Sequence, residues 1–156
     1  MTDLFQPLKF NCGVTMKNRF MLAPLTNTQS HADGRLSDDE YHWLTMRAKG
    51  GFGLTMTCAA HVQAVGKGFP GQLGIFSEIH EAGHRRLTKA IKKEGSLAVI
   101  QLHHAGMRSP KDLIGQAPMA PSDLPKYGAK GMTLEEVVTL RNDFILAAKR
   151  AKDWGY

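Results

Sequence analysis

Short, continuous apolar runs alternate along the chain with stretches in which apolar residues recur every three or four positions. The runs cover residues 20–25, 54–60 and 97–102, and each ends abruptly in polar, Gly- or Pro-containing sequence. Such runs are typical of buried parallel strands, whereas the periodic stretches predict helices. An earlier segment, residues 8–17, predicts a hairpin that turns around residues 11–13.

Two capping boxes mark the starts of predicted helices. Residues 37–40 and 133–136 both have the pattern in which a hydroxyl accepts from a free backbone N–H and a glutamate reaches back to the cap residue. The helices that they open end at Gly50 and Gly155, and another helix runs from about residue 81 to 94. The residues predicted to face the core are Tyr41, Leu44 and Ala48 in the first helix, Leu87, Ala90 and Ile91 in the second, and Val137, Leu140, Phe144, Ala147, Ala151 and Trp154 in the third.

The order of elements predicts an α/β fold. A hairpin followed by three βα units indicates a parallel sheet with its helices outside. This order fits an open doubly wound sheet or part of a (β/α)8 barrel, although no GxGxxG follows the first strand as a dinucleotide-binding Rossmann fold would require. A barrel needs eight strands and typically about 250 residues, so the chain would be a fragment or one half of a larger protein. Between the third strand and the last helix, residues 105–132 form a Pro- and Gly-rich connection that we expect to be unstructured and to serve a site.

The composition excludes several classes of protein. The chain has 156 residues and 42% apolar content, which suits one domain with a real core. It shows no apolar run of about 18 residues and no secretory signal, so we expect a cytoplasmic protein without a membrane span. The net charge is +6, and the lysines and arginines concentrate on predicted helix faces opposite the apolar stripes. Because such faces are usually solvated, the charge does not indicate nucleic-acid binding. Two cysteines without CxxC spacing argue against a disulfide framework or a structural zinc site.

Polar side chains at the ends of two predicted strands are candidates for binding chemistry. Thr26 either donates its hydroxyl to a cofactor oxygen or bonds its own turn. Gln101 either binds a ligand that offers an acceptor beside a donor, such as the pyrimidine edge of a flavin, or bonds a neighbouring loop. His103 and His104 are adjacent at a strand end, so their side chains should point to opposite sides of the sheet and cannot easily share a metal. One of the two should then face the cavity at the end of the strands, while the other packs behind the sheet.

The HExxH sequence at residues 80–84 is the competing candidate. On a helix this spacing would place His80 and His84 on one face to bind zinc, with Glu81 as the general base of a hydrolase. Gly83 inside the would-be zinc helix costs about 1 kcal/mol relative to alanine. The flanking Arg85 and Arg86 also add positive charge beside the proposed cation. We therefore interpret the motif as the start of a helix and predict no metal.

Two further groups are interpreted as structural. Residues 38–40 are three acids in the first turn of a predicted helix, where the helix dipole favours negative charge. Cys58 lies inside the second predicted strand, where a buried thiol is a small apolar filler. We assign neither group a role in catalysis.

Six segments follow one another at characteristic spacing: Leu4–Leu8, Lys17–Thr26, Gly53–Ala59, Leu73–Ser77, Gln101–Gly106 and Ala120–Ser122. In order and spacing, these segments resemble those of the old yellow enzyme family of FMN-dependent oxidoreductases. The resemblance implies a (β/α)8 TIM barrel. Residues 1–156 would supply its N-terminal hairpin and about the first three βα units, which is the N-terminal half of an FMN-binding domain.

The same resemblance implies which residues would contact non-covalent FMN. The backbone of Pro24 and Leu25, and both the backbone and the hydroxyl of Thr26, would touch the flavin ring, with Thr26 tuning its reactivity. Ala59 would lie against the ring, where a larger side chain could obstruct it. Gln101 would bond the pyrimidine edge.

The implied activity is the reduction of an activated C=C bond, as in an enone, by hydride passed from NAD(P)H through FMN. His103 corresponds to a variable position that shapes the substrate pocket, and the proton donor and carbonyl ligands would come from strands after residue 156. We therefore expect residues 1–156 alone to be inactive and to associate with themselves or with a complementary half-barrel. A non-catalytic half-barrel that acts through assembly is the main alternative, and a zinc hydrolase the remote one.

Overall fold

The computed structural model describes residues 3–156. Along this part of the chain, seven short strands and four α-helices follow one another, with 3₁₀ turns in several of the connections. No helix among the described residues is long and apolar enough to cross a membrane. The elements are β1 (Leu8–Lys9), β2 (Thr15–Met16), β3 (Met21–Leu22), α1 (Asp38–Lys49), β4 (Leu54–His61), α2 (Glu81–Lys93), β5 (Leu97–His103), α3 (Lys111–Ile114), β6 (Met119–Ala120), β7 (Lys130–Gly131) and α4 (Leu134–Asp153).

The centre of the fold is a parallel sheet in the order β3, β4, β5, which confirms the predicted βα arrangement. Leu22 of β3 pairs with Thr55 of β4, and Ala59 of β4 pairs with Gln101 of β5. The parallel direction brings the C-terminal ends of all three strands to the same edge of the sheet. The predicted hairpin is also present, since β1 and β2 pair antiparallel.

The first strand of the sheet is shorter than its apolar run. The sequence predicts a strand over residues 20–25, but only Met21–Leu22 pairs with β4. Pro24 has no backbone N–H to donate to a ladder, so regular pairing cannot continue through it. The polypeptide from Ala23 to Thr26 therefore continues past the sheet as an irregular segment at its C-terminal edge.

Two apolar clusters hold the helices against the sheet. The first cluster consists of Cys58, Ala60, Val62, Leu73, Ile75, Ala147, Ala151 and Trp154. The second consists of Leu22, Leu44, Ala48, Leu87, Ile91 and Ala98. The predicted core faces of the helices are confirmed except at two residues. Ala90 is only half-buried and lies in neither cluster, and Val137 is 44% exposed because α4 meets the first cluster only from Leu140 onward.

The connection over residues 105–132 is not unstructured, so that prediction is wrong. It contains α3, two 3₁₀ turns and the parallel pair formed by β6 and β7. The carboxylate of Asp123 accepts from the backbone N–H of Gly131 at 2.7 Å and closes the loop between these two strands. Short elements form here because the prolines limit the length of any single strand or helix, while the backbone groups between them still find partners.

The two predicted capping boxes differ in the structure. At α4 both bonds are present: the Thr133 hydroxyl accepts from the Glu136 N–H at 3.2 Å, and the Glu136 carboxylate accepts from the Thr133 N–H at 2.7 Å. At α1 only half of the box forms. The Ser37 hydroxyl accepts from the Glu40 N–H at 3.1 Å, but the Glu40 side chain turns into the core instead of reaching back.

Removing the cap of α4 tests its contribution to stability. We expect Thr133→Ala to lower the free energy of unfolding by about 1 kcal/mol, because the Glu136 N–H loses its acceptor at the helix start. Thr133→Ser keeps the hydroxyl and should stay within a few tenths of a kcal/mol of the unsubstituted chain. Urea unfolding of the three chains measures the difference, and an equal loss in both variants would show that the threonine methyl, not the hydroxyl, is responsible.

Candidate functional site

The C-terminal edge of the parallel sheet collects the polar residues singled out from the sequence. Ala59 and Gln101 are direct neighbours on adjacent strands, and parallel neighbours in register present their side chains on the same face. Thr26 follows β3 beyond the same edge. The side chains of Thr26 and Gln101 are exposed, and neither makes a hydrogen bond to any residue from 3 to 156. Both are therefore available to a ligand.

Gln101 is exposed, although its place in an apolar strand predicts a buried amide that needs partners. The structure leaves this amide open and unbonded within the described part of the chain. Neither the neighbouring-loop alternative for Gln101 nor the own-turn alternative for Thr26 is formed. Pro24 is half-buried and Leu25 is 49% exposed, so the segment between β3 and Thr26 also faces outward at this edge.

His103 ends β5 two residues beyond Gln101 and contacts a buried glutamine. Its Nδ1 lies 3.1 Å from the Nε2 of Gln72, which is fully buried. Gln72 also bonds the backbone of Ala59 and of Gly68, so it ties β4 and the loop after it to the end of β5. Partial burial lowers the pKa of His103 and favours its neutral form. Nothing in the sequence pattern marks Gln72 as its partner.

His104 belongs to a different set of contacts. Its Nδ1 accepts from the Gly106 N–H at 3.0 Å, and its Nε2 lies 3.1 Å from the Oε1 of Gln63. Gln63 in turn donates to Asp143 of α4 at 2.5 Å. The two neighbouring histidines therefore have separate partners, as the predicted alternation of side chains requires, and His104 links the end of β5 to α4.

Glu40 is the main feature that sequence reasoning missed. Its carboxylate is fully buried and accepts from Asn27 Nδ2 at 3.0 Å, from Cys58 Sγ at 3.1 Å and from the hydroxyl of Ser30. Burial, and next the negative charge of Glu40, raise the pKa of the Cys58 thiol. The thiol therefore stays protonated and acts as a hydrogen-bond donor, in agreement with its interpretation as a structural residue.

The Glu40 carboxylate connects two of the segments at the candidate site. Asn27 directly follows Thr26, and Cys58 directly precedes Ala59. One buried side chain thus holds the segment after β3 and the end of β4 in a fixed relation. The interpretation of Glu40 as only a helix-dipole residue is wrong, because three donors from other elements converge on its side chain.

The HExxH sequence has contacts unlike those of a metal site. His84 Nε2 lies 2.9 Å from the carbonyl of Gly74, which can only accept, so the Nε2 carries the proton and Nδ1 accepts from the Tyr156 hydroxyl at 2.7 Å. Glu81 pairs with Arg85 at 2.6 Å on the surface. His84 therefore has no lone pair for zinc. Within residues 3–156, no group of three or more His, Cys, Asp or Glu residues is placed to hold a metal.

Comparisons with known proteins agree with this geometry. The profile of the NADH:flavin oxidoreductase / NADH oxidase family matches residues 3–156. A probable NADH-dependent flavin oxidoreductase of Bacillus subtilis is 37% identical over 98% of this chain and 42% of its own length. An NADPH dehydrogenase of Bacillus velezensis is 36% identical over 92% of this chain and 43% of its own length.

Solved structures show the same relationship. The old yellow enzyme homologue of Zymomonas mobilis superposes with a TM-score of 0.89 at 28% identity, over 99% of this chain and 46% of that one. Morphinone reductase superposes with a TM-score of 0.88 at 26% identity, over 98% and 46%. The chain spans less than half the length of each of these relatives. It belongs to the NADH:flavin oxidoreductase family of old yellow enzymes and has the fold of the N-terminal part of their TIM barrel.

Proposed function

We propose that residues 1–156 are the N-terminal half of an FMN-binding domain and carry one side of its flavin site. The observation that supports this best is the pairing of Ala59 with Gln101 beside the exposed end of β3. The short Ala59 side chain leaves room for a flat ring, and the Gln101 amide, which is not hydrogen-bonded to any residue from 3 to 156, offers that ring a donor and an acceptor together. Thr26 adds a hydroxyl at the same edge that likewise has no partner in the described part of the chain.

The residues of this chain fit the group that the family name implies. Pro24 and Leu25 would place their backbone against the flavin, and the Thr26 hydroxyl would donate to it. Ala59 would lie under the ring, and the Gln101 amide would match the alternating donors and acceptors of the pyrimidine edge. These contacts orient the cofactor and tune its electronics, which is the part of flavin chemistry that a protein contributes.

The proposed reaction is the reduction of an activated C=C bond, as in an enone, at the expense of NAD(P)H. When bound, FMN supplies the hydride exchange between the nicotinamide and the alkene carbon. In this proposal the groups that bind the substrate carbonyl and deliver the proton come from later strands of the barrel. Residues 1–156 alone would therefore bind FMN weakly and would not turn over, which is consistent with relatives more than twice as long.

Enlarging the side chain at position 59 tests the proposed flavin site. We expect Ala59→Leu to weaken FMN binding at least about tenfold, because the added methylenes occupy the space beside Gln101 that the ring would use. Ala59→Gly, which adds no atoms, should bind FMN within about threefold of the unsubstituted chain, a difference of less than about 1 kcal/mol. The measurement is a titration of FMN fluorescence with each chain, after circular dichroism has shown that all three are folded. Equal affinities of the leucine and glycine variants would place the flavin elsewhere.

A further inference from the structure

The orientation of the buried Gln72 amide is fixed by two backbone groups. The backbone N–H of Gly68 lies 2.7 Å from Gln72 Oε1, and an N–H can only donate. The carbonyl of Ala59 lies 2.8 Å from Gln72 Nε2, and a carbonyl can only accept. A flipped amide would therefore set two donors against each other and two acceptors against each other. Only one orientation satisfies both backbone groups.

This orientation also fixes the proton on His103. Gln72 Nε2 has a second N–H, and the Nδ1 of His103 lies 3.1 Å from it. An amide N–H needs an acceptor, so Nδ1 must be the unprotonated nitrogen of the ring. In a neutral imidazole the proton then resides on Nε2. Burial lowers the pKa of His103, which keeps the ring neutral.

The protonated nitrogen has no partner in the described part of the chain. No residue from 3 to 156 hydrogen-bonds His103 Nε2, and this atom is not buried away from solvent. His103 stands two residues beyond Gln101 on β5, and residues i and i+2 of a strand share a face, about 7 Å apart. A flavin edge bonded to Gln101 would therefore have the His103 ring next to it, toward the open end of the site.

We propose that His103 is a hydrogen-bond donor to an acceptor oxygen of the substrate, and that Gln72 is the positioning residue that holds it in the Nε2–H form. The inference rests on the proposed function and deepens it by naming a donor in this chain for the oxygen that activates the alkene. The lone pair of Nδ1 is already used by Gln72, so His103 offers the substrate an N–H and no acceptor. The activating oxygen of the alkene in the proposed reaction can accept from this donor.

The tautomer can be observed directly, without cofactor or turnover. In the 15N-labelled chain near pH 7.5, long-range 1H–15N spectra distinguish protonated from unprotonated ring nitrogens, and His103→Phe identifies the His103 signals by their loss. We expect an unprotonated Nδ1 and a protonated Nε2. Gln72→Met, which removes the amide at similar length, should let both tautomers appear. A protonated Nδ1 in the unsubstituted chain would overturn the inference, even if the Gln72 variant fails to fold.

Kinetics of the FMN-loaded protein that includes the later strands of the barrel test the substrate contact. With 2-cyclohexenone as the probe and NADH as reductant, we expect His103→Phe to raise KM roughly fivefold to tenfold, as the loss of one hydrogen bond predicts. His103→Gln, whose amide can still donate, should recover most of that loss. Equal KM values in the phenylalanine variant and the unsubstituted protein would overturn this inference and leave the proposed function intact. If the protein with the later strands holds no FMN, or does not oxidise NADH, the proposed function is contradicted, and the tautomer experiment on residues 1–156 still decides the role of Gln72.

Discussion

Replacing Glu40 by alanine is expected to lower the free energy of unfolding by about 3 kcal/mol or more. The carboxylate is fully buried, and Asn27, Ser30 and Cys58 all donate to it. Alanine would leave the buried Ser30 and Cys58 and the half-buried Asn27 without their acceptor, and a buried donor left unpaired costs about 1–3 kcal/mol. A cavity would add to the loss.

Glutamine is the matched control at position 40. The glutamine Oε1 can accept from Asn27 and Cys58, as the carboxylate does. The Ser30 hydroxyl, which donates to the carboxylate, can instead accept a hydrogen bond from the glutamine Nε2. We expect Glu40→Gln to change the free energy of unfolding by about 1 kcal/mol at most, because the weaker neutral bonds are offset by the lower cost of burying an uncharged group.

Urea unfolding of the alanine and glutamine variants separates the hydrogen-bond network from the charge. A loss confined to Glu40→Ala means that the three acceptor contacts stabilise the fold. A similar large loss in both variants would mean that the negative charge itself is required. A loss below about 1 kcal/mol in the alanine variant would contradict the conclusion that Glu40 holds the segment after β3 to the end of β4.

Acid is expected to destabilise the chain well above the range in which carboxylates titrate. His61, His80 and His84 are at most 2% exposed, and burial lowers the pKa of each from 6.5 to about 4. In the folded chain they are neutral at pH 6, whereas in the unfolded chain they take up protons below pH 6.5. Their contribution to stability is therefore complete above pH 6.5 and is lost as the pH falls towards 4. Three such groups can lower the free energy of unfolding by up to about 4 kcal/mol per pH unit in this interval.

Denaturant unfolding at several pH values between 7 and 4 measures this slope. His80 is a suitable site for a control because neither of its ring nitrogens has a hydrogen-bond partner in residues 3–156 and the ring packs edge-on against Phe76. His80→Phe removes one of the three groups and should reduce the slope by about 1.4 kcal/mol per pH unit. If the stability of the unsubstituted chain does not change between pH 6.5 and 4.5, the three rings are not held neutral by the fold.

Local patterns were sufficient to predict the element order and most of the core. The strand over residues 54–60 and the helix over 81–94 match β4 and α2 within one residue, because apolar periodicity and helix-ending glycines act over short stretches of chain. The capping box at Thr133 is confirmed because both of its partners lie within one turn. The error at residues 20–25 has a local cause too, since Pro24 ends regular pairing there. The error at residues 105–132 is of the opposite kind, because the prolines shorten the elements in this segment but do not prevent them.

The sequence by itself determined the class of fold, the family and the strand ends at which polar residues collect. The tertiary structure alone decided which of those polar residues have partners. Glu40 meets Cys58 across 18 positions and Gln72 meets His103 across 31, and a hydrophobic pattern does not specify which buried donors and acceptors converge over such separations. Among residues 3–156, Gln101 and Thr26 have no side-chain hydrogen-bond partner at the sheet edge. Their partners depend on what the fold brings to that edge, which the spacing of residues along the chain does not reveal.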